Sequence, residues 1–325
     1  MLSDDILNFF NSKNCLVTGG TGMIGREIAN MLINAGANVR VISLDSIKIH
    51  KKIDHVYGDL TSFDFCKEQT KDMDCIFHVA GIKGSVKVTI EKPASFFVPL
   101  LMFNTNVLEA ARINNVQKLV YTSSIGAYSS NEIFIESDDE EKNPPMDMYP
   151  GWAKRIAEMQ IKSYKIQYDL SDYSIVRPCN VYGPGDNFDP ENAMVIPSLI
   201  RKAHDNEILE VWGDGSPIRD FIHCRDVALG MMHLVKNKVT DPVNLGSGSG
   251  IKIKEIAEII AKRFDKKIKW LSDKPMGDYR RVFDTSRAEK HGFKANVSLE
   301  IGINETIDWF IENKELIDER YNVFK

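Results

Sequence analysis

The stretch Cys15-Leu16-Val17-Thr18-Gly19-Gly20-Thr21-Gly22-Met23-Ile24-Gly25 constrains this chain more than any other. A short apolar run, the pattern of a buried strand, turns into glycines at every third position: Gly19, Gly22 and Gly25. An amphipathic, helix-like segment from Arg26 to Asn34 follows at once. Gly19 permits a tight turn. Gly22 lets backbone N–H groups approach a pyrophosphate, and Gly25 lets helix and strand pack closely. The helix N-terminus offers the phosphates partial positive charge. Gly19, Thr21, Gly22, Met23, Ile24 and Gly25 are therefore candidate contacts to a dinucleotide. A second strand pattern, Asn38 to Leu44, ends beside Asp45, twenty residues past Gly25. A carboxylate there accepts hydrogen bonds from both ribose hydroxyls and repels a 2′-phosphate.

The alternation continues through the first half. Apolar runs at 15–18, 39–44, 75–79, 119–122 and 174–176 read as buried parallel strands. Helical patterns at 25–34, 63–70, 94–113 and 152–168 separate them. This rhythm predicts an α/β fold, a Rossmann-type doubly wound parallel sheet with right-handed crossovers. After Asn180 shorter elements are punctuated by Gly183-Pro184-Gly185, by the turn from Trp212 to Pro217, and by Gly246 to Gly250. Residues 1–180 are expected to form the NAD-binding domain, rejoined by about 217–246. Residues 181–325 are expected to form a smaller interleaved substrate lobe, from about 181–216 and 247–325. The acidic run Glu136 to Glu141 reads as a solvated loop.

At 325 residues the chain can bury a substantial core. A net charge of −5 gives no electrostatic case for nucleic acid or an anionic membrane as partner. Met1 to Lys13 lacks the basic start and apolar core of a signal peptide, and the longest apolar stretch, Ser95 to Phe103, is too short to span a bilayer. Five scattered cysteines, Cys15, Cys66, Cys75, Cys179 and Cys224, read as free thiols in a reducing compartment. The expected location is the cytoplasm. No spacing of side chains suggests a metal site.

Four more segments carry chemistry: Tyr121-Thr122-Ser123-Ser124-Ile125-Gly126-Ala127-Tyr128, Tyr149-Pro150-Gly151-Trp152-Ala153-Lys154, Arg177-Pro178-Cys179-Asn180-Val181-Tyr182-Gly183-Pro184 and Arg219-Asp220-Phe221-Ile222-His223. With the glycine triplet, they resemble the extended short-chain dehydrogenases/reductases, the NAD-dependent epimerase/dehydratase family acting on nucleotide sugars. The resemblance spans nearly the whole chain. Ala80-Gly81-Ile82-Lys83-Gly84-Ser85 and Arg280-Arg281-Val282-Phe283-Asp284 look like the GDP-sugar branch, and within it the GDP-heptose C4 dehydrogenases of bacterial capsule synthesis.

Hydride transfer from a sugar carbon requires removal of the hydroxyl proton. A tyrosine, with an ordinary pKa near 10, needs a neighbouring cation to serve as base. A serine hydroxyl can hold the reacting oxygen in place. In the family these parts are Ser, Tyr and a Lys four residues after the Tyr. The resemblance makes Ser124, Tyr149 and Lys154 the catalytic candidates, with Lys154 also holding the nicotinamide ribose. Tyr149 departs from the pattern: it lies five residues before Lys154, and Pro150 takes the usual place. Four helical residues advance about 40° past one turn, but five advance about 140°. The residue before a proline is pushed out of the helical region, so Tyr149 is expected just ahead of the helix. The alternative is a site that works without this tyrosine. Leu100, where the family often has asparagine, is a second departure.

The family alignment puts Ser43 at the end of the second strand, with Asp45 two residues on, and the reading favours NAD over NADP. Asp59-Leu60 resembles an adenine contact, and Ala80 and Gly81 a strand end beneath the adenine ribose. His78 reads as a packed strand histidine. Lys83 and Ser85 are candidates for cofactor phosphate or sugar hydroxyls. Ser123, Asn180, Arg219 and Arg280 are candidate substrate contacts, arginine suiting a diphosphate because its fork binds two oxygens at once. His223-Cys224-Arg225-Asp226 falls in a family segment and reads as structure, not metal site.

The resemblance implies an enzyme that begins by oxidising a sugar C4 hydroxyl. The 4,6-dehydratases place an Asp-Glu pair just after the catalytic serine or threonine, where this chain has Ile125-Gly126. A 3,5-epimerase/4-reductase needs an acid–base pair, typically Cys and His, for which Cys179 is a candidate. The leading expectation is NAD-dependent oxidation of GDP-manno-heptose at C4 to the 4-keto sugar. A 4-epimerase and a 3,5-epimerase/4-reductase are the alternatives, and a catalytically silent NAD(P)H-binding sensor or scaffold is the alternative of another class. By resemblance, two helices per subunit form a dimer interface, so a homodimer or higher oligomer is expected.

Overall fold

The computed structural model describes residues 2–137, 143–274 and 276–318. Its centre is a seven-stranded sheet, and every pairing within it is parallel. In chain order the strands are β1 (Asn14–Thr18), β2 (Asn38–Ser43), β3 (Asp54–Tyr57), β4 (Cys75–His78), β5 (Lys118–Thr122), β6 (Tyr173–Pro178) and β7 (Val243–Leu245). They lie side by side as β7-β6-β5-β4-β1-β2-β3. The chain starts at β1, runs out to one edge, returns and fills the other side. That is the doubly wound Rossmann-type arrangement, with its crevice at the carboxyl end of β1 where the direction reverses.

Alternate side chains of each strand feed two helix layers. Cys15 and Val17 of β1 join one apolar core, with Ile28 and Leu32 of α1 (Met23–Asn34). Leu16 joins the other, with residues from α2 (Phe63–Gln69), α3 (Pro93–Ile113) and α4 (Met148–Tyr168). Met231 and Leu234 of α5 (Cys224–Lys236) lie beside α1 in the first core. All five cysteines are buried and unpaired.

The strands and helices legible in the sequence lie within a few residues of their expected bounds. β3 was not foreseen. It is a half-exposed edge strand without a continuous apolar run. Helix α3 has the length and composition to cross a membrane, unlike the shorter apolar stretch it contains. Here its buried face lies on the second core, and its Asn104 is buried and hydrogen-bonded to His78.

A third core joins Leu199 and Ile200 of the helix Val195–Asp205, Ile256 and Ile260 of Ile253–Phe264, and Ile303, Ile307 and Phe310 of Leu299–Glu312. The two parts are threaded through each other. Ile133–Phe134 pairs with the strand Arg280–Phe283, while β7 returns to pair with β6. Of the acidic run, residues 138–142 lie outside the described residues. Glu136 is not solvated: its side chain is 2% exposed, accepts from the Asn244 N–H (2.8 Å) and faces Arg287.

One buried ion pair fastens α4 to the sheet. Arg177 on β6 donates from Nε and Nη2 to the two carboxylate oxygens of Glu158, at 3.0 and 2.6 Å. The guanidinium lies 4.6 Å from the centre of the Tyr128 ring, whose hydroxyl donates to Asn244 of β7 (2.7 Å). Removing one partner of a buried pair strands the other charge. Glu158→Ala is expected to lower unfolding stability by about 3–5 kcal/mol, measured by urea denaturation.

Candidate active site

A single cavity of about 1040 Å³ runs across the carboxyl ends of β1, β2, β4 and β5. At one end lies the glycine turn. Gly19 takes φ +66°, and a Cβ at Gly25 would stand 2.3 Å from the Gly19 carbonyl oxygen. The close helix–strand approach read from the sequence is thus present. Gly22 caps α1 without a side chain, which leaves the N–H groups of the first turn to a ligand's oxygens.

The loop after β2 is pinned to this turn. Thr21 Oγ1 donates to the Asp45 carboxylate (2.8 Å), and Ser43 Oγ donates to the Asp45 backbone oxygen (2.9 Å). Met23, Ile24, Ser43, Asp45, Asp59, Leu60, Ala80 and Gly81 all line the cavity. Below them, the Thr18 hydroxyl accepts from the Val79 and Ala80 N–H groups (3.1 and 3.2 Å) and meets His78 Nδ1 at 2.7 Å. His78 Nε2 then faces the Asn104 carbonyl oxygen at 3.0 Å. Burial, together with Lys154, lowers the His78 pKa to about 3. It is a neutral, packed histidine.

Lys154, nearly two turns into α4, donates from Nζ to the Thr122 carbonyl (2.6 Å) at the end of β5 and lies 5.1 Å from the Tyr121 ring centre. Burial lowers its pKa to about 8, against the pull of Glu158. Ser124 Oγ accepts from the Gly126 N–H (3.0 Å), which fixes the hydroxyl on the cavity wall. Ser123 Oγ, also on that wall, is buried with no hydrogen-bond partner among the described residues.

Tyr149 departs from expectation. It lies inside the first turn of α4, not ahead of it, because the bend is taken by Met148 at φ +31°. Its ring leans on Phe97 of α3 (5.9 Å between centroids) and is 46% exposed at the cavity rim. In a continuous helix, five residues separate its direction from that of Lys154 by about 140°.

Elsewhere on the cavity wall, Lys83 donates to the Asp186 carboxylate (3.1 Å) and Asn180 Nδ2 to the Asp220 carbonyl (2.8 Å). Three candidates do not line the cavity. Ser85 is spent on structure: its hydroxyl caps the short helix Val86–Glu91 and donates to the Glu191 carbonyl. Arg280 is displaced by strand alternation, which turns Arg281 to the cavity instead. Arg219 pairs in register with Arg281 but is not a cavity residue, and one of its guanidinium nitrogens donates to the Ile218 carbonyl. Burial and the Arg281 charge lower the Arg219 pKa, and Arg281 itself donates to the Asp278 carboxylate (2.6 Å). Sequence reading also missed Asp147 and the apolar wall of Phe96, Pro99 and Phe103 on α3. The helical period of α3 was the available signal for that wall.

His223 Nδ1 accepts from the Arg225 N–H at the start of α5, and Asp226 accepts from the N–H groups of Asn296 and Val297. That segment holds structure together.

Residues 15–246 match the model of the NAD dependent epimerase/dehydratase family. The chain belongs to this family. It is accordingly an enzyme built around a nicotinamide dinucleotide, and the bare turn, the helix N-terminus capped by Gly22 and the Asp45 loop fit that group. GDP-L-fucose synthase 1 of Arabidopsis thaliana is 31% identical over 93% of this chain and 94% of its own length. The epimerase Mth375 of Methanothermobacter thermautotrophicus superposes with a TM-score of 0.85 at 26% identity, covering 97% of both chains. MoeE5, solved with UDP-glucose and NAD, has a TM-score of 0.79 at 25% identity over 93% of this chain and 99% of its own. A GDP-L-fucose synthetase of Naegleria fowleri bound to NADP shares the fold, with a TM-score of 0.76 at 23% identity over 93% of this chain and 94% of its own.

If the Lys154 ammonium assists hydride transfer, its charge is present below about pH 8 and lost as pH rises through that value. kcat/KM is expected to show a basic limb there, since it reports the free enzyme. Lys154→Arg, which stays charged, should abolish the limb even if it slows turnover.

Proposed function

We propose that this protein oxidises the C4 hydroxyl of a nucleotide-activated sugar, GDP-manno-heptose in the first instance, to a 4-keto sugar. The oxidant is NAD, which accepts hydride at its nicotinamide. The observation that carries the reading is one cavity joining a bare helix N-terminus, Asp45, the buried ammonium of Lys154 and the fixed hydroxyl of Ser124. Asp45 is the support for NAD, since its carboxylate would repel a 2′-phosphate.

Lys154 and Ser124 hold ribose and sugar hydroxyl, and the resemblance would route the proton through Tyr149. In this reading Asn180, Lys83 and Arg281, which line the same cavity, hold the nucleotide diphosphate and its sugar. The GDP preference leans on the Arabidopsis relative and on the 80–85 and 280–284 segments. Dehydration is disfavoured because Ile125 and Gly126 bring no carboxylate. The epimerase/reductase reading is disfavoured because no histidine lines the cavity among the described residues, and burial next to Asp220 drives the Cys179 thiol well above its ordinary pKa. Five buried, unpaired thiols suit a reducing cytoplasm.

The test is incubation with GDP-manno-heptose, other GDP-sugars and UDP-sugars, with NAD or NADP in turn. The expected outcome is a rise in reduced-nicotinamide absorbance with NAD, a weaker one with NADP, and a product lighter by one H2 in mass spectrometry. An epimer formed without lasting absorbance change would establish the 4-epimerase instead. Silence across the panel would favour the sensor.

Two copies are proposed to pair through α3 and α4, which expose Val98, Met102, Ile156, Met159 and Ile166. An apolar stripe of this kind marks an association surface. Sedimentation velocity should give a dimer for the parent and a monomer for the double substitution Ile156→Glu, Met159→Glu.

A further inference from the structure

Asp147 precedes α4 and faces the cavity, yet neither the resemblance nor the motif reading gave it a role. Its placement depends on a missing side chain. A Cβ at Gly126 would lie 2.1 Å from Asp147 Oδ2 and 2.9 Å from its Cβ, so the carboxylate stands in the space that any other residue at 126 would fill. The Asp147 N–H also donates to the Gly126 carbonyl at 3.3 Å. The Gly126 N–H, in turn, donates to Ser124 Oγ at 3.0 Å. Hydroxyl and carboxylate thus flank one residue, on the cavity wall that also holds Lys154. The next residue, Met148, sits at φ +31°, a conformation an L-residue adopts at a cost and one that recurs at functional sites. Tyr149, by contrast, lies five residues before Lys154 rather than four, and its ring leans on Phe97 at the cavity rim.

We propose that Asp147 contacts the sugar and takes up the proton of the hydroxyl being oxidised. This rests on the hydride-transfer reading above and deepens it. As the C–H bond breaks, its electron pair leaves as the hydride that reduces NAD. The C–O bond becomes a carbonyl, and the O–H proton passes to the Asp147 carboxylate and on to water in the open cavity. Ser124 holds the oxygen during transfer. Two charged side chains act on the carboxylate, Arg281 and Asp278. Asp147 is exposed to the open cavity, and desolvation by the protein around it still raises its pKa, with Asp278 adding to that and Arg281 opposing it. A carboxylate held above its ordinary range is a stronger base than one in water.

The experiment compares single-turnover reduction of NAD by the parent, Asp147→Asn, Asp147→Glu and Tyr149→Phe, with whichever nucleotide sugar the parent oxidises fastest. Thermal melting and NAD binding of each variant show that it is folded and loaded. Asp147→Asn is expected to lose about 10²- to 10⁴-fold in rate, the usual contribution of a general base, and far more than Tyr149→Phe loses. The parent rate should fall on the acid side as the carboxylate is protonated. Asp147→Glu should recover part of the rate and move that limb. A folded, NAD-loaded Asp147→Asn that reduces NAD as fast as the parent overturns the proposal. So does a Tyr149→Phe variant that loses as much as Asp147→Asn. Both results leave the hydride-transfer reading intact. A parent that leaves NAD oxidised with every sugar overturns the reading and the proposal together.

Discussion

The architecture depends on the contact between helix α1 and the turn from which it springs. With hydrogen alone at position 25, the helix starts directly over the Gly19 carbonyl, 2.3 Å from where a methyl would be. That approach aims the first-turn N–H groups at the crevice and sets the distance from β1 to the Asp45 loop. A side chain at 25 would push the helix away from the strand, and the phosphate-facing donors with it. Everything from β2 to β5 is arranged around the opening this contact leaves.

At the far end of the same opening the governing effect is desolvation. Lys154 keeps its ammonium among Thr122, Tyr121 and the cavity wall, and its charge becomes easier to lose. Glu158 resists that loss from one turn further along α4, while holding Arg177 of β6. The ion pair that fastens the helix therefore also moderates, without reversing, the effect of burial on the residue the helix presents. His78 shows the opposite outcome: burial without a carboxylate partner leaves it neutral and confined to the Thr18–Asn104 chain of hydrogen bonds.

The sheet was legible because buried parallel strands are apolar throughout, and the glycine triplet located its crevice. β3, half exposed and without such a run, left no comparable signal. The residues read as cofactor contacts all line the cavity, since a motif carries backbone geometry with it. The residues read as substrate contacts gathered there less completely. Two adjacent arginines on a strand face opposite ways, and sequence does not say which face is inward, so Arg281 stands where Arg280 was expected. Ser85 turned out to cap a helix. Glu136 lies in a run of acids that reads as solvated, but tertiary partners buried its carboxylate. Tyr149 shows a local rule overridden: Pro150 was expected to push it out of the helix, and Met148 took the distortion instead.

The threading of the chain has a consequence for how it reaches this state. The pair Ile133–Phe134 has no strand neighbour until Arg280–Phe283 is available, and the edge of β6 stays open until β7 arrives. Closing such long loops costs entropy before any contact repays it, so assembly is governed by distant pairings and is intrinsically slow. A nascent chain released before about residue 243 would keep both strand edges unsatisfied, and one released before about residue 282 would still leave Ile133–Phe134 unpaired, the kind of surface on which chaperones act and aggregates nucleate. The residues around the cavity and those of the third core are thus joined by pairings between distant parts of the chain, and a cut between them would break strand contacts on both sides.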